Sequence, residues 1–94
     1  MGSGMEPCGK FAQRYAQNTV VEEIYFQWAQ GFMTALNAAF IADNKAARDL
    51  NSYPTLDQMA AIRQYCNDHP LATYQDAVMD LLHHLKAVQY QVKE

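Results

Sequence analysis

Two cysteines, Cys8 and Cys66, stand 58 positions apart in a chain of 94 residues, and no other feature constrains the fold as much. If they pair, the closed loop is so long that the chain-entropy model assigns the bridge roughly 4 kcal/mol. That is a large share of the roughly 5–15 kcal/mol by which native domains are held together. The pairing would tie the first helical segment to the fourth and would imply an oxidising compartment, a bacterial periplasm or the extracellular space. Other readings stay open. The cysteines could be buried free thiols. One could be a nucleophile, although neither lies in a recognisable elbow or beside a plausible base. Cys66-Asn67-Asp68-His69 has metal-ligand spacing, and Cys8 with a later histidine could complete a zinc site; a single C-x-x-H supplies too few ligands to define one.

The length fits one domain, and the composition, half apolar with 18% charged residues, fits a packed core rather than a disordered chain. The net charge of −3 comes with scattered basic residues, Lys10, Arg14, Lys45, Arg48, Arg63, Lys86 and Lys93. No clustered cationic surface of the kind nucleic acid requires is visible. The longest purely apolar run, Ala38–Ala42, is far below the roughly 20 residues of a membrane span, so membrane insertion is not expected. Met1-Gly2-Ser3-Gly4-Met5 reads as a cloning scar, expected to be disordered, with residues 6–94 as the single helical domain. On that reading a signal peptide has been removed ahead of Glu6.

Helical periodicity dominates. Pro7 suits the first turn of a short helix from Cys8, in which Phe11 and Tyr15 share a face. Thr19-Val20-Val21-Glu22 has the pattern of a capping box. The long helix after it, to about Asp43, carries Val21, Ile24, Tyr25, Trp28, Phe32, Ala35, Leu36, Ala39 and Phe40 at three- and four-residue steps. Asp43–Tyr53 is polar, with a short weak helix expected around Lys45–Leu50 before Pro54. Thr55-Leu56-Asp57-Gln58 has the pattern of a second box and opens a helix whose stripe is Leu56, Met59, Ile62 and Cys66. Thr73-Tyr74-Gln75-Asp76 opens the last helix, with Tyr74, Ala77, Val78, Leu81, Leu85 and Val88 inward. No hairpin signal appears. The expected fold is all-α: a compact bundle of four to five helices with one long central helix, stapled by one disulfide.

Few residues suggest chemistry. His83 and His84 are adjacent on a helix and point about 100° apart, so they read as its polar shoulder. His69, before Pro70, reads as a cap on helix carbonyls. Trp28, Phe32 and Phe40 fit a core better than a ligand box. Gly31 sits inside a helix, where glycine is about 1 kcal/mol worse than alanine, and so should admit a close neighbour, another helix or a partner chain. Asn37, in an apolar stretch, should be a satisfied amide holding the Asp43–Tyr53 loop. Trp28, Gly31, Phe32 and Asn37 are therefore the candidate interface or structural residues. Six tyrosines favour a protein-binding module over an enzyme. No catalytic residue, metal or cofactor is assigned.

Three stretches together resemble small periplasmic helical proteins of the HdeA type, the acid-stress chaperones: Cys8-Gly9-Lys10-Phe11; Gly31-Phe32-Met33-Thr34-Ala35-Leu36-Asn37; and Tyr65-Cys66-Asn67-Asp68-His69-Pro70 running into Thr73-Tyr74-Gln75-Asp76-Ala77-Val78. The resemblance implies a disulfide-bonded helical fold, often a homodimer, that opens in acid and shields client proteins. The cysteine interval is longer than in the chaperones, and lysine-rich ends are lacking. Trp28 with Gly31-Phe32, and Thr55-Leu56-Asp57-Gln58 with Tyr65 and His69-Pro70, are also similar to Rap/Tai-type immunity proteins of type VI secretion. That resemblance implies neutralisation of a toxin by direct binding. The partners expected from both are other proteins, client or toxin.

Overall fold

A computed structural model describes residues 3–88, and the described chain is mostly helical. Four α-helices, α1 (Cys8–Gln17), α2 (Val20–Ala42), α3 (Thr55–Asp68) and α4 (Tyr74–His84), are joined by a two-stranded antiparallel pair. Strand β1 (Ala47–Arg48) lies beside β2 (Ala87–Val88), Ala47 opposite Val88 and Arg48 opposite Ala87. The short helix expected around Lys45–Leu50 is therefore an extended segment. The paired residues lie 41 (Ala47 to Val88) and 39 (Arg48 to Ala87) positions apart in the chain, which is why no local hairpin signal announced the pairing.

The ends of the helices follow from individual residues. Asn18 breaks α1 in an extended conformation, and its Oδ1 accepts the Val20 amide at 3.1 Å. Thr19 already has helical dihedrals and makes no side-chain cap, so the box expected there does not form. The box at Thr55 does not form either: Pro54 holds the cap position, and Gln58 turns away to donate to the carbonyls of Leu50 and Tyr53, both at 2.8 Å. At α4 the box is complete, Thr73 Oγ1 accepting from the Asp76 amide at 3.2 Å and Asp76 Oδ2 from the Thr73 amide at 3.0 Å. Helix α2 stops at Asn44, whose φ of 59° is left-handed, a conformation asparagine tolerates at a helix end.

Residues 3–5, expected to be disordered, instead form one turn of 3-10 helix. Gly4 is buried, and a Cβ there would overlap the Trp28 indole. Met1 and Gly2 of that stretch lie outside the described residues.

The core is built on an aromatic triangle. Phe11, Tyr25 and Tyr74, from three different helices, have ring centroids 5.0 Å apart on every side. Met33, Ile62, Val78 and Leu82 are buried around it. Each such side chain contributes about 1.5–3 kcal/mol when removed from water. The buried face of α2 is Glu22, Tyr25, Phe26, Ala29 and Met33. Ile24, expected inward, is 58% exposed, and Leu56, expected on the inner stripe of α3, is 77% exposed.

Candidate functional site

Cys8 and Cys66 lie at disulfide distance, with Cα atoms 4.7 Å apart, and both side chains are buried. Cys8 opens α1 and Cys66 lies in the last turn of α3. The loop between α3 and α4 closes over this junction. The Cys8 amide donates to the Ala72 carbonyl at 2.7 Å and the Gly9 amide to the Pro70 carbonyl at 3.0 Å, while the Tyr74 amide donates back to Glu6 at 2.8 Å. Two orphan amides of the first turn of α1 are thereby satisfied. A Cβ on Gly9 would meet the Pro70 carbonyl oxygen at 3.4 Å, an ordinary van der Waals contact.

Asn37 holds the segment after α2, the role read from the sequence. Its Nδ2 donates to the Arg48 carbonyl at 2.8 Å and its Oδ1 accepts the Arg48 amide at 2.9 Å. The side chain thus occupies one edge of β1 while β2 occupies the other. Arg48 extends the tie, its Nη1 donating to the carbonyls of His83 at 3.1 Å and Leu85 at 3.0 Å. A cation at a helix C-terminus complements the dipole there.

Trp28 and Phe32 are half-buried and stacked, centroids 4.9 Å apart at 13°, with Trp28 also edge-on to Tyr74 at 6.2 Å. They roof the core rather than line a box. Gly31 is exposed, and a Cβ there would meet nothing within 4 Å. Among the described residues none is a close neighbour for it. The rest of that outer face carries Val20, Ile24, Ala35, Ala38 and Ala42 together with the uncharged polar residues Gln27 and Thr34, all exposed. No charged residue occurs between Ile24 and Ala42.

A groove of about 610 Å³ opens between α3, α4 and the loop ahead of α3, lined by Tyr53, Asp80, Leu81, His84, Leu85 and Lys86, with Ser52 and Ala61. A second hollow of about 450 Å³, lined by Gln64, Tyr65, Asp68 and His69, continues from it through Ala61 and Asp80, which line both. Two contacts hold the walls: Gln58 fixes the Tyr53 carbonyl, and the Lys86 amide donates to Ser52 Oγ at 3.2 Å. His69 caps α3 as expected, with Nδ1 3.0 Å from the Tyr65 carbonyl and its ring stacked on Tyr65 at 4.3 Å. His84 lies similarly, Nδ1 2.7 Å from the Asp80 carbonyl. A carbonyl only accepts, so both histidines carry hydrogen on Nδ1 and present Nε2 as an acceptor when neutral.

Sequence reasoning missed the buried carboxylate of Glu22, which pairs with Arg63; Arg63 in turn lies 5.3 Å from the centre of the Tyr15 ring. It also missed the groove, whose walls come from three separate segments. Burial and the nearby Glu22 charge push the Tyr74 hydroxyl above the usual phenol range. Tyr25 is raised for the same first reason and by Glu6, against the lowering effect of Arg14, whose Nη1 donates to its oxygen at 3.4 Å.

These features define a mostly helical, disulfide-tied domain with an open groove on one side and an uncharged helix face on another. No family model, curated protein or solved structure matches the chain.

Proposed function

We propose that the protein is a non-catalytic, HdeA-like helical bundle of the periplasm or extracellular space that works by binding other proteins, as a stress chaperone. The observation that carries the reading is the outer face of α2. A solvent-facing helix side is normally charged. Here Ile24, Gly31, Ala35, Ala38 and Ala42 are exposed and no charge interrupts residues 24–42. An uncharged face with a glycine open to approach suits close contact with a second copy or a client. The cysteine pair supports an oxidising compartment. In strong acid the seven Lys and Arg and the three His together give +10, and self-repulsion of that size loosens a small domain. The test is suppression of client aggregation near pH 2 and near pH 7, conditions on either side of carboxylate titration. No protection at either pH would sink the chaperone role.

A second reading, an immunity protein that sequesters a secreted toxin, is favoured by the half-exposed Trp28–Phe32 stack next to Gly31, since aromatic anchors dominate tight interfaces. A toxin gene immediately upstream, whose product the protein captures at nanomolar affinity, separates this reading from the first.

A further inference from the structure

We infer that the α3–α4 groove is a docking site for an arginine- or lysine-bearing segment of a partner protein, with Asp80 receiving the cation. The inference rests on the protein-binding reading above and gives it a location and a partner chemistry. Asp80 lines both lobes of the groove. Its side chain is 48% exposed, and the nearest nitrogen beside it, His84 Nδ1, is 3.8 Å away. That nitrogen already donates to the backbone carbonyl of Asp80. The carboxylate therefore retains accepting capacity at the centre of the groove.

The surrounding chemistry selects a cation. Asp68 adds a second carboxylate to the lining. Tyr53 and Tyr65 supply rings over which a guanidinium or ammonium can sit. The donors are fewer: the Gln64 amide is committed to Asp68 at 3.1 and 3.2 Å, and Lys86 contributes one ammonium to the lining. The floor of Ala61, Leu81 and Leu85 suits the methylene stem of a long basic side chain. Among the described residues no three His, Cys, Asp or Glu side chains converge to hold a metal ion. An anionic partner such as nucleic acid or an acidic lipid surface would meet Asp68 and Asp80 with like charge.

The test is amide NMR of the isotope-labelled, disulfide-intact chain, titrated with a capped Gly-Arg-Gly-Arg-Gly peptide and with its glutamine twin. Saturable shifts at Tyr53, Ala61, Gln64, Asp80 and His84 with the arginine peptide alone are expected. Asp80→Asn should weaken binding about fivefold, the scale of a partly exposed ion pair. Lys86→Glu should strengthen it by a similar factor, a gain that misfolding cannot imitate. Asp43→Asn, on an exposed carboxylate at the far end of α2, should change nothing. An equal response to the glutamine peptide, or unchanged affinity in both groove variants, overturns the proposal. If neither peptide binds while clients are still protected, the groove is refuted and the protein-binding reading stands.

Discussion

Asn37→Ala should cost far more than its half-exposed position suggests. The substitution deletes two hydrogen bonds, to the Arg48 carbonyl at 2.8 Å and from the Arg48 amide at 2.9 Å. Each is worth about 1 kcal/mol net, and a backbone group left without a partner adds to that. Arg48 also ties the carbonyls of His83 and Leu85 through Nη1, so a loosened Arg48 weakens the end of α4 and the β1–β2 pair with it. The expected loss is about 2–3 kcal/mol, which for a domain of this size lowers Tm by roughly 8–24 °C. Asn37→Asp retains the acceptor but sets a carboxylate oxygen against the Arg48 carbonyl in place of the donor, and should cost at least as much as alanine. Thermal melts followed by circular dichroism measure the loss, and hydrogen exchange at the Arg48 amide reports the clamp itself. A loss under about 0.5 kcal/mol, the level of an ordinary surface substitution, with the Arg48 amide still protected, would refute the reasoning.

Cys8→Ser and Cys66→Ser should each remove roughly 4 kcal/mol, measured as a shift in the urea midpoint, and a reductant should lower the wild-type midpoint to match. Two free thiols in the native protein would contradict the bridge and the compartment argument together. Gly31→Ala, in an exposed helix interior with room for a Cβ, should stabilise the monomer by up to about 1 kcal/mol. Gly31→Leu should weaken self-association or client binding if the α2 face is used; sedentation by ultracentrifugation reads the former. Stability should fall above about pH 10. The unfolded tyrosines ionise near their usual value, whereas buried Tyr74 and Tyr25 hold their protons to higher pH, so the unfolded state alone sheds protons in that window. Urea midpoints that stay flat from pH 9 to beyond pH 11 would show that neither phenol is protected.

Much of the fold was legible in the chain. Asn18, Pro54, Pro70 and the Thr73–Asp76 box mark where helices begin and end through local chemistry that needs no partner. A Cys8–Cys66 bridge was one of several readings of the two cysteines, and the structure brings them to disulfide distance, both buried. Asn37 announced itself as an amide in an apolar stretch, and the tie to Arg48 is the one such a residue needs. The site was less legible. Asp80 looks like any polar residue on an amphipathic helix, and Tyr53 like a loop residue before a proline. They share a groove because α3, α4 and the segment ahead of α3 converge, and no local pattern records that convergence.

The amino-acid sequence by itself determined the helical class and the breaks between helices, because dihedral preferences and capping groups act within a few residues. Tertiary structure alone decided which side of α2 faces inward. From Ile24 to Ala42 the helix is uncharged all round, so periodicity fixes its pitch without fixing its rotation. Packing of Tyr25 against Phe11 and Tyr74 set that rotation, burying Phe26, Ala29 and Met33 and leaving Ile24 and Gly31 outside. The same long-range packing made the Lys45–Leu50 region a strand beside Ala87–Val88 rather than a helix, since the ladder bonds and the Asn37 clamp available there outweigh a weak local preference.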